Sequence, residues 1–539
     1  MVYTLYLAII FNKHFSKLWY KCNSFTKYVT VFLKGALFMN NYRPAGYEAL
    51  IDRYNLDVIP NWHHSFVAKE GQVHKVDKEG DSIREKYPER YWPGDSLGEQ
   101  LEFALKYDGI NLAILFSVFQ AMKETELLQY LHSKPTGKYA RRLWYLYEFL
   151  TGKKLPIDDL KQGNYVDLLD NELYYTIDTG KSIKRQRIRD NQLGDKHFCP
   201  TVRRTEKLQK IEANELQEKC QKIISQYPES LLKRALSYLY TKETKSSFEI
   251  EHLQPTSSRL ERFMALLKEA EKEDFCSKEK LILLQNRIVD PRFVDEDYRT
   301  SQNYVGETVA FGKEKIHFVT PKPEDLPELM EGLIATHERM SDGNVHAIVH
   351  AATLAYSFVF LHPFEDGNGR IHRFLIHNVL ALEGFTPKGI MFPVSAVILK
   401  NSDLYDMSLE SYSAKLMPLI EYTLDEEGYM SVSNETAHWY RYIDMTIQTE
   451  MLYDFVRWTI ETELADELKF IVNYDRAKKD IQNIIDMPDR QIDLLIRFIL
   501  QNHGKLSKTK KEKYFDFLSD DELRKIEKAV WQPTEGDLF

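Results

Sequence analysis

Apolar positions recur every three to four residues along most of this chain, the spacing of one face of an α-helix. The pattern begins at Ser96 (SLGEQLEFALKYDGINLAILFSVFQAM), resumes over Lys138–Leu150 ahead of Gly152, and runs from Pro228 (PESLLKRALSYLYTKETKSSFEIEHLQP) to a stop at Pro255. Further helices are predicted over Leu260–Glu271, over Ser277–Asn286 and in DLPELMEGLIATHERM, which Pro323 and Pro327 open. Two tracts are apolar at most positions and read as buried helices: Val345–Phe360, and Ile371–Leu382, which stops at Gly384. Residues 431–539 are helical again, through YRYIDMTIQTEMLYDFVRWTIETELADELKF, DRQIDLLIRFILQNHG and SDDELRKIEKAVW. Between Tyr298 and Val319, by contrast, YRTSQNYVG and then EKIHFV alternate with β-formers around glycines, which predicts a hairpin. Met39 to about Pro93, rich in Tyr, Trp and Pro, is read as an irregular wrapping segment. The expected fold is mainly α, with a helical core that carries a small β-hairpin. An N-terminal helical region and a C-terminal helical region flank it, and a winged-helix-like form is one option for the latter.

The two most apolar tracts enclose His362–Arg373 (HPFEDGNGRIHR), which reads as a tight polar loop running into a helix. Gly367 and Gly369 flank Asn368 where that helix begins, so backbone N–H groups can face a ligand without an intervening Cβ. A helix start of this kind attracts anions, phosphates above all, through unpaired N–H groups and the helix dipole. Arg370 and Arg373, three residues apart, share a helical face and can neutralise phosphate with forked hydrogen bonds. His362 is the one side chain of the loop that titrates near neutrality, which suits it to accept a proton from a hydroxyl. Asp366 is a hard oxygen ligand beside the anion site, where Mg²⁺ takes one or two carboxylates together with phosphate oxygens. Residue chemistry alone therefore points to a phosphoryl or nucleotidyl transferase.

The stretch HPFEDGNGRIHR resembles the signature of the Fic family, His-Pro-Phe-x-Asp/Glu-Gly-Asn-Gly-Arg-x-x-Arg, with every defining position present. The resemblance implies transfer of AMP from ATP to a Ser, Thr or Tyr hydroxyl of a protein, with release of pyrophosphate. It assigns His362 as the base, Asp366 as the Mg²⁺ ligand and Gly367, Asn368, Gly369 and Arg370 as the cradle of the α- and β-phosphates. Arg373 would meet the γ-phosphate. The kinase-like branch of the family carries Lys where Gly369 stands, so Gly369 favours AMP transfer. Upstream, Ser247 and Glu251 resemble the inhibitory motif Ser/Thr-x-x-x-Glu, followed by Gly or Asn, of the class whose inhibitory helix precedes the core. That implies an ion pair from Glu251 to Arg373 that excludes the γ-phosphate, although His252 stands where Gly or Asn is usual. The hairpin resembles the family flap, with Tyr304 and Val305 expected to pack on the target residue. Residues 403–422 resemble the wall of the adenine pocket, with Tyr405 as first candidate for base contact and Tyr412 second.

The remaining residues change this picture little. A chain of 539 residues with 43% hydrophobic and 28% charged positions is an ordinary globular protein of two or three domains. Its net charge of −9 gives no general case for binding nucleic acid or an anionic membrane. The four cysteines are scattered without a CxxC pair, which fits a reducing, cytoplasmic setting. Residues 1–38, free of acids and without a membrane-length apolar run, are expected to be an extension upstream of a native start at Met39. The domains expected are then 39–240, a catalytic domain at 241–430 with its inhibitory helix, and 431–539. Asp178–Ser182 (DTGKS) is not a phosphate loop, since Tyr175 occupies the position of the first glycine. The run Lys181, Arg185, Arg187 and Arg189 reads as a solvated loop, with an acidic partner as the alternative. His346 and His350 have metal-pair spacing but no third ligand; with His372 and His377 they read as packing histidines. The lysines of 504–513 form a solvated face, or else a contact with DNA.

The function expected from sequence is thus protein adenylylation from Mg-ATP, autoinhibited by Glu251, with self-modification and a homodimer both compatible. A nucleotide-sensing regulatory or DNA-binding protein is the alternative from another class. Removal of AMP through the same site, with Glu251 as base, is another, as is transfer from a different nucleotide or phosphorylated donor.

Overall fold

The computed structural model describes residues 41–210, 215–310, 313–388 and 390–531, and the expectation for residues 1–38 lies outside them. The chain separates into two compact units, residues up to 168 with 181–190, and residues 169–180 with 191 onward.

In the first unit the segment expected to be irregular forms a four-stranded sheet. Tyr42–Ala45 pairs antiparallel with His63–Ala68, which pairs parallel with Ser82–Tyr87, and Lys75–Glu79 closes the far edge antiparallel. These strands are short and their alternation is interrupted by charges, so the period-two signal falls below that of the helices. The predicted helix start at Ser96 is a capping box: Ser96 and Glu99 satisfy each other's backbone N–H groups. The helix Lys138–Thr151 ends at Gly152 in the left-handed conformation, as its sequence requires. The basic run is solvated at Lys181 and Arg189, which are exposed, while its three arginines are engaged within the unit. Arg185 pairs with Glu148 and Asp159, Arg187 donates to the carbonyls of Leu160, Lys161 and Gly163, and Arg189 pairs with Asp167.

The second unit is helical. Its centre is the antiparallel pair Ala347–Leu361 and Asn368–Leu382, buried along almost their whole lengths: the first lacks a polar face, and the second buries Arg370, Arg373, His377 and Asn378 against polar partners on neighbouring segments. Around them lie Glu229–Glu249, Ser257–Glu269, Lys278–Ile288, Leu326–Asp342 and Ser402–Leu416. The hairpin Tyr304–Ala310 with Lys313–Val319 is antiparallel, Tyr304 opposite Val319 and Val305 opposite Phe318. The C-terminal helices from Ala465 to Val530 bury their own apolar cluster around Ile492, Ile496 and Phe515. Among the described residues no strand follows Val432, so no β-wing accompanies them. The lysines there are largely engaged: Lys505 with Glu527, Lys511 with Asp520, and Lys510 over the Phe498 ring. Among the described residues no helix is long and apolar enough to cross a membrane.

Candidate active site

The loop between the two central helices is shaped by three local devices. His362 caps the first helix in the left-handed region (φ 49°, ψ 58°), its N–H donating to Phe358 O at 2.9 Å. A non-glycine residue is uncommon there, so the position is strained by its own side chain. Asn368 then closes the loop on itself: its Oδ1 accepts from Phe364 N at 3.1 Å and its Nδ2 donates to Phe364 O at 2.7 Å. The Asn368 side chain is thereby spent on loop closure, and only its backbone faces the anion site. Gly367, at φ 92°, turns the chain into the second helix, and its N–H is held by Asp366 Oδ1 at 2.6 Å.

His362 carries an unambiguous tautomer. Its Nδ1 lies 3.2 Å from Val359 O, and a carbonyl can only accept, so Nδ1 bears the proton and Nε2 is bare. Burial pushes the imidazole down to about 4; the Arg299 charge pushes the same way and Asp366 opposes it.

Both signature arginines are buried and both meet one carboxylate. Arg370 Nε lies 2.7 Å from Glu251 Oε2, and its Nη2 pairs with Asp366 Oδ1 at 2.7 Å. Arg373 donates to Glu251 Oε1 at 2.8 Å, to Ser247 Oγ at 2.9 Å and to Ser247 O at 2.6 Å. The Glu251 carboxylate also overhangs the helix start, since a Cβ built on Gly369 would fall 2.6 Å from its Oε1. An anionic group thus occupies the place where N–H groups, helix dipole and two guanidiniums converge.

Glu251 reaches this place through a helix end that differs in detail from the sequence reading. The helix stops at Glu249, two residues before Glu251, and does not continue to Pro255. His252 N donates to Glu249 O and Leu253 N to Phe248 O, with His252 left-handed at φ 56°. These two bonds form a Schellman motif, in which the left-handed position is normally Gly or Asn. The histidine is accommodated without changing the path of the chain. Two turns earlier the same helix has a second anchor. Its fully buried Glu243 faces His377 Nε2 at 2.8 Å, accepts from Ser395 N at 2.8 Å and contacts the Ser395 hydroxyl.

Of the remaining candidates, Tyr405 lies buried beside Tyr356 and His372, with its hydroxyl by Arg373. Tyr412 packs on Phe360 and donates to Trp439 O at 3.2 Å, in the core beneath the hairpin rather than at the arginines. On the hairpin Val305 is exposed and Tyr304 half-buried. His346 caps its helix by accepting from Ile348 N. His350 belongs to a chain Asp274–His337–His350–Glu383, with the two histidines buried between acids nearer the surface and each link between 2.9 and 3.2 Å.

Sequence reasoning missed the residues that hold the loop from behind. Gln285 donates to Asp366 O and to Asp295, and Asn303 to Phe364 O. Arg299 reaches the carbonyls of His362, Ser301 and Pro321. Each sits in a segment read only for its helix or hairpin, and no spacing rule ties such contacts to the loop.

Comparison with known proteins finds relatives of the segment that contains this loop. A profile of the Fic/DOC family matches residues 275–380. The protein adenylyltransferase Fic of Aedes aegypti is 32% identical over 119 residues, 22% of this chain and 22% of its own length. That of Nematostella vectensis is 30% identical over 125 residues, 23% and 26% of the two chains. That of Drosophila grimshawi is 28% identical over 156 residues, 29% of each. The matches span less than a third of these relatives, between 22% and 29% of their length. Among solved structures, a Fic family protein from Desulfovibrio desulfuricans aligns over 60% of this chain and 84% of its own, at 20% identity and TM-score 0.35. A Fic domain containing signaling protein from Bacteroides thetaiotaomicron aligns over 48% and 95%, at 20% identity and TM-score 0.33.

Proposed function

We propose that this chain, which carries a Fic/DOC family domain over residues 275–380, is a protein adenylyltransferase restrained by Glu251. One observation carries the reading: a carboxylate bridges Arg370 and Arg373 over the glycine turn, marking an anion site a few residues from a histidine whose Nε2 is bare. The relatives' printed name, protein adenylyltransferase, supplies the reaction class.

In this reading the triphosphate of ATP lies along Gly367, Asn368, Gly369 and Arg370, with its γ-phosphate at Arg373. A Ser, Thr or Tyr hydroxyl of the target gives its proton to His362 Nε2. Its oxygen bonds to the α-phosphorus, and the bond to the β-phosphate bridging oxygen breaks to release pyrophosphate. Asp366 fits a magnesium ligand, since its carboxylate is half exposed at the loop mouth and is steadied by Gly367 N–H and Arg370. When bound there, Mg²⁺ would neutralise charge on the phosphate oxygens. Tyr405 sits by Arg373 as part of the nucleotide wall, and Tyr304 and Val305 receive the target segment along the hairpin edge. Glu251 competes with the γ-phosphate for Arg373 and holds the enzyme low. A cytoplasmic setting fits Cys199, Cys220 and Cys276, which are buried and form no disulfide with one another.

Intact-mass measurement of the protein with Mg-ATP and a cell lysate tests the reading. A gain equal to AMP on a lysate protein or on the chain itself, absent in His362→Ala, is the expected result. Nucleotide binding without any covalent gain, in the parent and in Glu251→Gly, would overturn it.

A further inference from the structure

Arg299 is a buried guanidinium solvated by backbone alone. Its N–H donates to Pro363 O at 2.9 Å and its Nε to His362 O at 2.9 Å. Nη1 donates to Ser301 O at 2.8 Å and Nη2 to Pro321 O at 2.7 Å. It is 5% exposed, and among the described residues its hydrogen bonds all go to backbone carbonyls. Burial lowers it to about 10, with Glu365 opposing from a distance, so it stays charged at neutrality. A cation placed among carbonyl dipoles and away from acids is costly unless every donor is used.

The acceptors reveal its task. Ser301 precedes the hairpin and Pro321 follows it, while His362 and Pro363 form the loop that carries the base. One planar fork therefore ties both roots of the hairpin to the carbonyl of the left-handed histidine. The peptide of His362 is pinned at both ends, by Phe358 O on its N–H and by Arg299 on its C=O.

We propose that Arg299 is a positioning residue that holds the target-receiving hairpin and the His362 base in one register. The proposal rests on the adenylyltransferase reading and deepens it: a hydroxyl docked on the hairpin meets Nε2 only if the two supports do not slide. Lysine cannot substitute, because its single ammonium cannot span three carbonyls with fixed geometry. A misplacement on the order of 1 Å costs up to about 100-fold in such alignments.

The test uses Arg299→Lys and Arg299→Gln in full-length protein bearing Glu251→Gly, so that transfer is measurable. Expected is a fall in kcat for AMP transfer of about 10- to 100-fold. The KM for ATP and the thermal stabilisation by Mg-ATP should stay unchanged, because the phosphate site does not use this residue. Amide hydrogen exchange is read beside it and needs no activity: protection at 303–305, 317–320 and 362–364 should fall together in Arg299→Lys. Full transfer by a folded Arg299→Lys would overturn the proposal, as would equal losses of ATP binding and turnover, or unchanged exchange at both supports. Absence of transfer in the Glu251→Gly parent would instead count against the adenylyltransferase reading, and the exchange result would still decide the role of Arg299.

Discussion

Two kinds of buried arginine stand within one loop of each other, and they are stabilised in opposite ways. Arg370 and Arg373 are neutralised by the Glu251 carboxylate, which arrives on the end of a separate helix. Arg299 is surrounded by carbonyl oxygens of the loop and of the hairpin roots. A charge balanced by another charge can exchange its partner, since any anion that brings equal or greater negative charge competes for the place. A charge held by fixed dipoles has no such competitor. The first arrangement suits a site that must release its occupant and take another, and the second suits a strut. Exchangeable and permanent solvation of the same side-chain type thus distinguish a contact that another anion can take over from one that none can.

The largest effect should come from breaking the exchangeable pair. Glu251→Gly should raise AMP transfer roughly 5- to 150-fold, the range of a coupling free energy of 1–3 kcal/mol. It should also lower stability by about 1–3 kcal/mol, because two buried guanidiniums lose an acceptor. Saturating Mg-ATP should restore more thermal stability to the variant than to the parent. Calorimetry beside a labelled-ATP assay reads both; a variant that gains activity without becoming less stable would contradict the pairing.

A smaller effect sharpens the comparison from the helix side. His252→Gly removes a left-handed side chain from the Schellman turn while leaving the path to Glu251 intact. It should stabilise the protein by up to about 1 kcal/mol, net of the greater freedom of glycine in the unfolded chain. Basal transfer should fall a few-fold as the carboxylate sits more firmly. Thermal denaturation and basal labelling of the two proteins decide it, and higher basal labelling would count against it.

The smallest effect is on pH dependence. His362 is held near 4 in the folded protein, against an ordinary value of about 6.5, by burial and by the Arg299 charge. Burial likewise lowers His346 and His438 to about 4. Between 6.5 and 4 the unfolded chain takes up protons that the folded one refuses, so stability declines as pH falls through that window. The base nevertheless stays unprotonated. Transfer measured from pH 7 to pH 5 should therefore hold nearly level while the melting temperature drops, and an acid limb centred on 6.5 would refute the assignment.

Helices were the most legible part of this molecule, because Val345–Phe360 has no polar face and can only be interior, and Ile371–Leu382 is apolar at most positions. The loop between them was equally legible, since its glycines, arginines and histidine lie within twelve residues. Contacts across long sequence separations were not. Nothing in YRTSQN announces that the Arg299 side chain will seek a carbonyl 63 residues away. Likewise Glu243 reads as one more helix-face acid until His377 and Ser395 close around it. The N-terminal sheet was missed for another reason: its strands are short and charged, and hydrophobic alternation is the only periodic mark a strand leaves.

The overlap of Glu251 with Gly369 has one more implication. The oxygen that overhangs position 369 occupies the volume a side chain would need there. A methyl group there would push that carboxylate oxygen aside, so the position of Glu251 and the bareness of residue 369 are coupled. A side chain gained at 369 would therefore be felt first at the contacts of Glu251 with Arg370 and Arg373.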